Sequence, residues 1–291
     1  MKITLLAGPT ASGKSRLALE IAGKTGGIIV NADSRQVYSE LRVLTARPSA
    51  AVEAAMPHRL YGHVSAGERY SVGRWLDDVA AVLDEARRAA LPVIVTGGTG
   101  LYFKALTEGL ATIPMVPAEV RSRVVEDSSG ETADVLHRRL AAVDPEDAHR
   151  IRSTDRARIL RALEVFEATG RSLAAWQERP VKPLIDPANA ERLLVDIDRA
   201  LLHERISVRV SHMIADGALV EAKAIAELNL DRELPAMKAI GVGELIDHLA
   251  GRMSLDEALA AMRTETRRYA KRQMTWFRHQ MVGWTPLTSG E

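Results

Sequence analysis

Cysteine is absent from the sequence, which excludes a disulfide scaffold, a thiolate zinc centre and a cysteine nucleophile. Metal chemistry must therefore use oxygen or imidazole ligands. An excess of one charge sign is missing as well: 39 basic side chains stand against 38 acidic ones over 291 residues, a formal net charge of +1. Indiscriminate coating of nucleic acid, which rests on neutralising many phosphates, does not fit that balance. Long apolar runs are also lacking. The one at residues 3 to 7 is too short for a signal segment, and none later approaches a membrane span. The expectation is a cytoplasmic protein that touches no membrane. There is no internal repeat and no low-complexity tract. The remaining composition, 46% hydrophobic and 26% charged, suits one large globular domain or two smaller ones, each with its own core.

Strand-like apolar runs, each followed by a turn and a helical pattern, recur through the first hundred residues. Ile3 to Ala7 leads into Gly8, Ile28 to Val30 into Asn31-Ala32-Asp33, and Pro92 to Val95 into Gly97-Gly98-Thr99-Gly100. Such runs predict an α/β fold with a parallel sheet covered by helices on both faces. Ligands of such folds sit at the carboxyl ends of the strands, where these three turns gather. From Pro114 the pattern becomes helical and strand-poor to about Trp176, and a loop with Pro180, Pro183 and Pro187 closes it. Leu193 to Ile197 then reads as another buried strand, followed by helices, the last spanning roughly Leu255 to Phe277. This order predicts a helical insertion, 116–188, within an α/β core made of 1–115 and 189–291. Charge is segregated inside the insertion: residues 119–147 hold 4 basic and 8 acidic side chains, and residues 148–182 hold 8 basic and 4 acidic. One end can face a polyanion while the whole stays near neutral.

Residues 8 to 15, Gly8-Pro9-Thr10-Ala11-Ser12-Gly13-Lys14-Ser15, satisfy the GxxxxGK[ST] pattern between a strand and a helix. Glycines let backbone N–H groups turn inward around a phosphate, and the helix N-terminus adds positive potential. Lys14 supplies a formal charge, and the Ser15 hydroxyl is a ligand for Mg²⁺. The pattern predicts a phosphate loop as in P-loop NTPases, binding a diphosphate or triphosphate, and leaves open what is attached to it. Asp33 ends the second apolar strand, where a magnesium-holding carboxylate, a helix cap and a general base are all readings. Asp196 and Asp198 read as structural. The eight histidines show no metal spacing.

The phosphate loop, followed by Asn31-Ala32-Asp33-Ser34-Arg35-Gln36-Val37-Tyr38 and Thr45-Ala46-Arg47-Pro48, resembles the tRNA dimethylallyltransferases, also called tRNA isopentenyltransferases or IPP transferases. Tyr70-Ser71-Val72, Gly97-Gly98-Thr99-Gly100-Leu101-Tyr102, Arg161-Ala162-Leu163-Glu164, Ala239-Ile240-Gly241 and Lys271-Arg272-Gln273-Met274-Thr275-Trp276 extend the likeness over nearly the whole chain. Departures are local. Glu40 and Leu44 stand where the family usually has glycine, Arg47 replaces a lysine, Val242 a tyrosine, and His58 to His63 diverge.

The resemblance implies transfer of a dimethylallyl group from dimethylallyl diphosphate to N6 of adenine 37, the base 3′ to the anticodon in a tRNA anticodon stem-loop. It implies Mg²⁺, with Ser15 as ligand, and a cytoplasmic enzyme that works as a monomer. Lys14 and Arg205 would neutralise the departing diphosphate, Thr99 would bond near its bridging oxygen, and Asp33 would orient N6 and take its proton. The RNA-contacting segments it implies are Asp33, Ser34, Arg35 and Gln36, with Thr99; Arg121; Ala157, Arg158, Ile159, Leu160 and Arg161; Lys238, Ala239, Ile240, Gly241, Val242 and Gly243; and Lys271, Arg272, Gln273, Met274, Thr275, Trp276, Phe277 and Arg278. The inserted helices would bind the tRNA. Arg156 belongs to the same basic cluster. Rival readings are a phosphate-loop kinase of a small metabolite, an enzyme that prenylates free AMP, and a nucleotide-switched RNA-binding protein without group transfer.

Overall fold

The computed structural model describes residues 1–178 and 182–288; Pro180, placed by the sequence in a closing loop, lies outside them. The chain divides into two compact units, 1–107 with 184–291, and 108–183. The expected insertion bounds were 116 and 188.

The first unit begins β1 (Ile3–Ala7), α1 (Lys14–Thr25), β2 (Ile28–Asn31), α2 (Ala50–Ala55), β3 (His58–Arg59), α3 (Val72–Arg88), β4 (Val93–Gly97) and α4 (Gly100–Glu108). The second unit holds α5 (Ala118–Asp127), α6 (Ala133–Val143), α7 (Pro145–Arg150), α8 (Arg156–Thr169) and α9 (Leu173–Gln177). The chain then returns to the first unit as β5 (Ala190–Asp196), α10 (Arg199–Ala215), α11 (Ala218–Glu227), α12 (Val242–Leu249), α13 (Leu255–Gln280) and β6 (Thr285–Thr288).

All strand pairings are parallel, in the order β3-β2-β4-β1-β5-β6. Alternation along each strand sends side chains to opposite faces. Leu6, Ile29 and Ile94 point to a small core with Ala18 and Ala22 of α1. Leu5, Val30 and Val95 point to a larger core that includes Trp75 of α3, Tyr102 of α4, Ile206 of α10 and Phe277 of α13. Both faces are thus covered, and the apolar strands of the sequence are those of a doubly covered sheet. Two strands went unread. β3 has only two residues, and β6 is an exposed edge whose Pro286 faces Leu194 in register. Proline is tolerated at an edge because no outer strand needs its N–H. The second unit packs its helices around Val124, Leu136, Leu140, Ile159 and Leu163.

Glu221 of α11 fastens a loop beside the sheet. Its carboxylate accepts the backbone N–H groups of Arg42 (2.8 Å), Val43 (2.7 Å) and Leu44 (2.8 Å). Three donors converging on one carboxylate are charge-assisted and stronger than neutral bonds. Replacing Glu221 by Ala is expected to cost about 2 kcal/mol or more, read as a lower midpoint in chemical denaturation. An unchanged midpoint contradicts the clamp.

Candidate active site

The phosphate loop links β1, at the middle of the sheet, to α1. Gly8 donates its N–H to Gly97 O of β4 (3.3 Å), and Ser12 N–H closes the loop on Pro9 O (3.2 Å). Ala11 (φ 61°) and Gly13 (φ 89°) adopt left-handed backbone. For Ala11 that costs roughly 1–2 kcal/mol, strain held where the chain must curl around a ligand. Lys14 reaches back over the loop to Pro9 O (3.3 Å). Burial pushes its pKa down to about 8; Asp33 acts to raise it and Arg209 to lower it. The lowered pKa marks a cation poised for an anion that would restore the lost stabilisation.

Asp33 projects from the turn after β2, and buried Asn31 sets that turn. Asn31 accepts Asp33 N–H (2.8 Å) and donates to Asp33 O (2.9 Å) and Leu60 O (3.0 Å), while its own carbonyl accepts the Trp75 indole N–H (2.8 Å). One Asp33 oxygen accepts Arg35 N–H (2.9 Å). Thr99 connects the third turn to this one: its hydroxyl oxygen accepts Ser34 N–H (2.9 Å), and Thr99 N–H donates to Ala32 O (3.1 Å). The three turns read from the sequence therefore meet at the carboxyl edge of the sheet.

Helices α10 and α13 supply the opposite wall. Arg209 donates to the Thr10 hydroxyl (2.9 Å), and Arg205 donates to Ser12 O (3.4 Å). Burial lowers the Arg209 pKa, and Asp33 acts against it; an arginine nonetheless keeps its charge. From α13, Gln273 accepts Thr10 N–H (2.9 Å) and donates to Gly98 O (2.8 Å), spanning two of the loops. A β-carbon on Gly98 would lie 2.2 Å from the Gln273 amide nitrogen, and one on Gly100 would lie 2.1 Å from the Trp276 ring. Glycine at both positions lets α13 descend onto the turn.

Thr10, Asp33, Arg35, Arg209, Tyr269 and Arg272 are among the residues lining a cavity of about 210 Å³. Burial first, and then the Asp33 carboxylate, raise the phenol pKa values of Tyr61, Tyr102 and Tyr269. These phenols stay protonated near neutral pH and do not compete with Asp33 as bases. The cavity thus joins a carboxylate, a phosphate loop and a buried guanidinium, a set able to take a proton at one end and stabilise a leaving phosphate at the other. Among the described residues no cluster of three or more His, Asp or Glu side chains could hold a metal. Ser15, exposed at the start of α1, fits Mg²⁺ as one hydroxyl ligand beside phosphate oxygens and water, the ligand set this ion commonly keeps.

Several residues carried over as RNA contacts face inward instead. Ala239, Val242, Gln273 and Phe277 are buried in the first unit, and Ile159 in the second. They hold their segments in place, and Ala239 also lines the cavity that holds Asp33. Gln36 is committed to the chain, donating to Thr45 O (2.9 Å) and Ala46 O (3.0 Å), and Trp276 packs against Gly100. Lys271, Arg272, Thr275 and Arg278 are exposed on α13, and Lys238 and Gly243 are exposed before and within α12. In the second unit, Arg121 (3.6 Å) and Arg161 (3.4 Å) share the carboxylate of Glu164, and Arg158 pairs with Asp155 (3.3 Å). Arg156 turns inward to the carbonyls of Ser128 and Glu131; Ala157 and Arg158 stay exposed. Asp198 caps α10 through Ala200 and Leu201 N–H. The sequence reading missed Arg209 and Tyr269. Each had a signal in its spacing, one helical turn after Arg205 and one before Gln273.

The chain resembles known proteins over nearly its whole length. The IPP transferase family model matches residues 36–280, and an isopentenyl transferase model matches residues 1–63. The chain is 52% identical over 288 residues to the tRNA dimethylallyltransferase of Azorhizobium caulinodans, covering 98% of this chain and 92% of that protein. It is 51% identical over 287 residues to that of Bartonella tribocorum, covering 99% and 98%. The crystal structure of a tRNA isopentenylpyrophosphate transferase from Bacillus halodurans superposes with a TM-score of 0.69 at 30% identity, over 99% of this chain and 90% of that one. A eukaryotic dimethylallyltransferase acting on tRNA superposes with a TM-score of 0.82 at 25% identity, over 100% and 75%. With the family model matching residues 36–280 and relatives more than 50% identical over nearly the whole chain, the chain belongs to the IPP transferase family of tRNA dimethylallyltransferases.

Proposed function

We propose that the protein, a cytoplasmic monomer, transfers a dimethylallyl group from dimethylallyl diphosphate to N6 of adenine 37 in the anticodon loop of tRNA. The observation that carries this reading is the cavity in which Asp33 shares one space with Thr10 of the phosphate loop and with Arg209. A free AMP or small-metabolite acceptor leaves the exposed cations of α13 without a role.

The exocyclic amine of adenine is a weak nucleophile because its lone pair is delocalised into the ring. As the N6–C1 bond forms, the C1–O bond to diphosphate breaks and N6 loses a proton. Asp33 takes that proton, and Arg35 N–H holds one of its oxygens. Lys14, the loop amides and Arg209 balance the charge that grows on diphosphate, and Arg205, which donates to Ser12 O of the loop, would add a further guanidinium to that set. Thr99, tied to Ser34, would bond near the departing bridging oxygen. Ser15 would ligate Mg²⁺, which when bound neutralises diphosphate charge. The target base is stacked in a folded loop, so the enzyme must extrude it, and Lys271, Arg272 and Arg278 on α13 and the inserted helices would hold the RNA while it does so.

Purified protein incubated with unmodified tRNA, dimethylallyl diphosphate and Mg²⁺ is expected to yield N6-dimethylallyladenosine on nucleoside analysis. Asp33→Ala should retain RNA binding and lose transfer by at least ~100-fold. Consumption of ATP with a metabolite and no modified nucleoside contradicts the reading; near-normal turnover of the variant removes Asp33 from the proton transfer.

The low Lys14 pKa has a signed consequence. Diphosphate prefers the protonated lysine, so pyrophosphate affinity should fall as pH rises through about 8. Folding responds in the opposite sense. The unfolded chain holds this proton more tightly than the folded one, so the Lys14 contribution to stability rises between about pH 8 and pH 10.5. Calorimetric titration of pyrophosphate against pH should show the fall in wild type and a flatter profile in Lys14→Met. Matching profiles contradict the assignment.

A further inference from the structure

A second concavity, of about 330 Å³, lies between α10 and α13 on the first unit. Its cationic lining comes from both helices: Arg199 from α10, and Arg267, Arg268, Lys271 and Arg278 from α13, with His203 beside them. No carboxylate lines it. Only part of this charge is answered locally. Arg268 pairs with Glu265 (2.5 Å), and Arg267 donates to the Ser207 hydroxyl (3.0 Å). Among the described residues, Arg199, Lys271 and Arg278 have no ion pair, and all three are exposed.

Gathering like charges around one concavity is unfavourable without an anion, and a concave wall of one sign focuses its field on whatever enters. In a chain whose net charge is +1, such a concentration is a local feature. From Arg267 to Arg278 the helix rises about 16 Å, longer than a single phosphate needs and suited to successive phosphates of a strand. Arginine guanidinium groups match phosphodiester oxygens in geometry as well as charge. The opposite face of the same helix carries Gln273, which grips the phosphate loop and the Gly98 turn. An anionic strand seated here would therefore lie one helix thickness from the reaction cavity.

We infer that the furrow between α10 and α13 is a seat for the sugar-phosphate backbone of the substrate RNA, and that Arg199, on a helix that no RNA-contacting motif of the sequence includes, is one of its phosphate ligands. The inference rests on the tRNA reading above and adds the α10 side of the grip. Contacts of this kind position the RNA and carry no base information. The seat therefore governs affinity and salt dependence, and the identity of the modified base is set elsewhere.

The test measures equilibrium binding of unmodified tRNA over a salt series, with pyrophosphate binding measured in parallel, for wild type, Arg199→Ala and Arg199→Glu. Arg199 is exposed in the first turn of α10, where a glutamate favours the helix dipole, so both variants should fold. Arg199→Ala is expected to flatten the slope of log K against log salt by about 0.7–1, and Arg199→Glu to weaken tRNA binding by about tenfold or more, with pyrophosphate affinity unchanged. Wild-type slope and affinity in both variants, while wild type binds and modifies tRNA, overturns the seat and leaves the proposed function standing. Loss of a second pyrophosphate site in Arg199→Glu, with tRNA binding unaffected, assigns the concavity to a small anion and overturns the RNA seat. Failure of wild type to bind or modify tRNA at all removes the underlying reading together with it.

Discussion

A single buried amide, the side chain of Gln273, joins the two halves of the active site. Its oxygen takes Thr10 N–H from the phosphate loop, and its nitrogen gives a proton to Gly98 O in the turn that carries Thr99. Glutamine is among the few side chains with both an acceptor and a donor on one rigid plane. Because the group is buried, leaving either end unpaired costs about 1–3 kcal/mol, so the two loops cannot drift apart cheaply. Thr99 carries the constraint onward to Ser34, and through that turn to Asp33. The phosphate loop, the Asp33 turn and the last helix behave as one piece, assembled from segments more than 170 residues apart in sequence.

This geometry sorts the electrostatics. Lys14 and Arg209 sit deep enough that burial works against their charge, and Asp33 works in favour of it. The cavity is thus short of negative charge on the phosphate-loop side, the deficit a diphosphate would fill. Other cations lie exposed on outward faces, among them Lys271 and Arg278 on α13 and Arg199 on α10. One helix presents an amide inward and ammonium and guanidinium groups outward. Near-neutral net charge conceals this arrangement, since acidic residues elsewhere cancel the sum.

Legibility in the sequence followed burial. Strands covered on both faces appear as unbroken apolar runs, so β1, β2, β4 and β5 could be read directly, whereas β6, a four-residue exposed edge with a proline, offers no such run. The phosphate loop, the Asp33 turn and the Gly97–Gly100 turn were visible because their backbone needs glycine or a strand-end carboxylate at fixed places. Direction within a helix was harder to see. The Lys271–Arg278 motif marks a region and does not say which of its residues face the solvent; Gln273 and Phe277 within it are buried. The recurrence of Met262, Ala270, Gln273 and Phe277 on one helical stripe is what turns them inward. Arg209 went unread because a lone arginine on a helix is ordinarily a surface group. Only the packing of α10 against the phosphate loop gives it a buried partner in Thr10.

The most direct test of this account replaces Gln273 with Met, similar in length but unable to form either hydrogen bond, and follows single-turnover transfer alongside tRNA affinity and the unfolding midpoint. If Gln273 holds the loops in register, the variant binds tRNA as wild type does and stays folded, yet transfers dimethylallyl groups about 10²-fold more slowly, as expected when reacting groups are misplaced by an ångström. Transfer at the wild-type rate in a folded Gln273→Met protein would contradict the claim that this amide sets the active site.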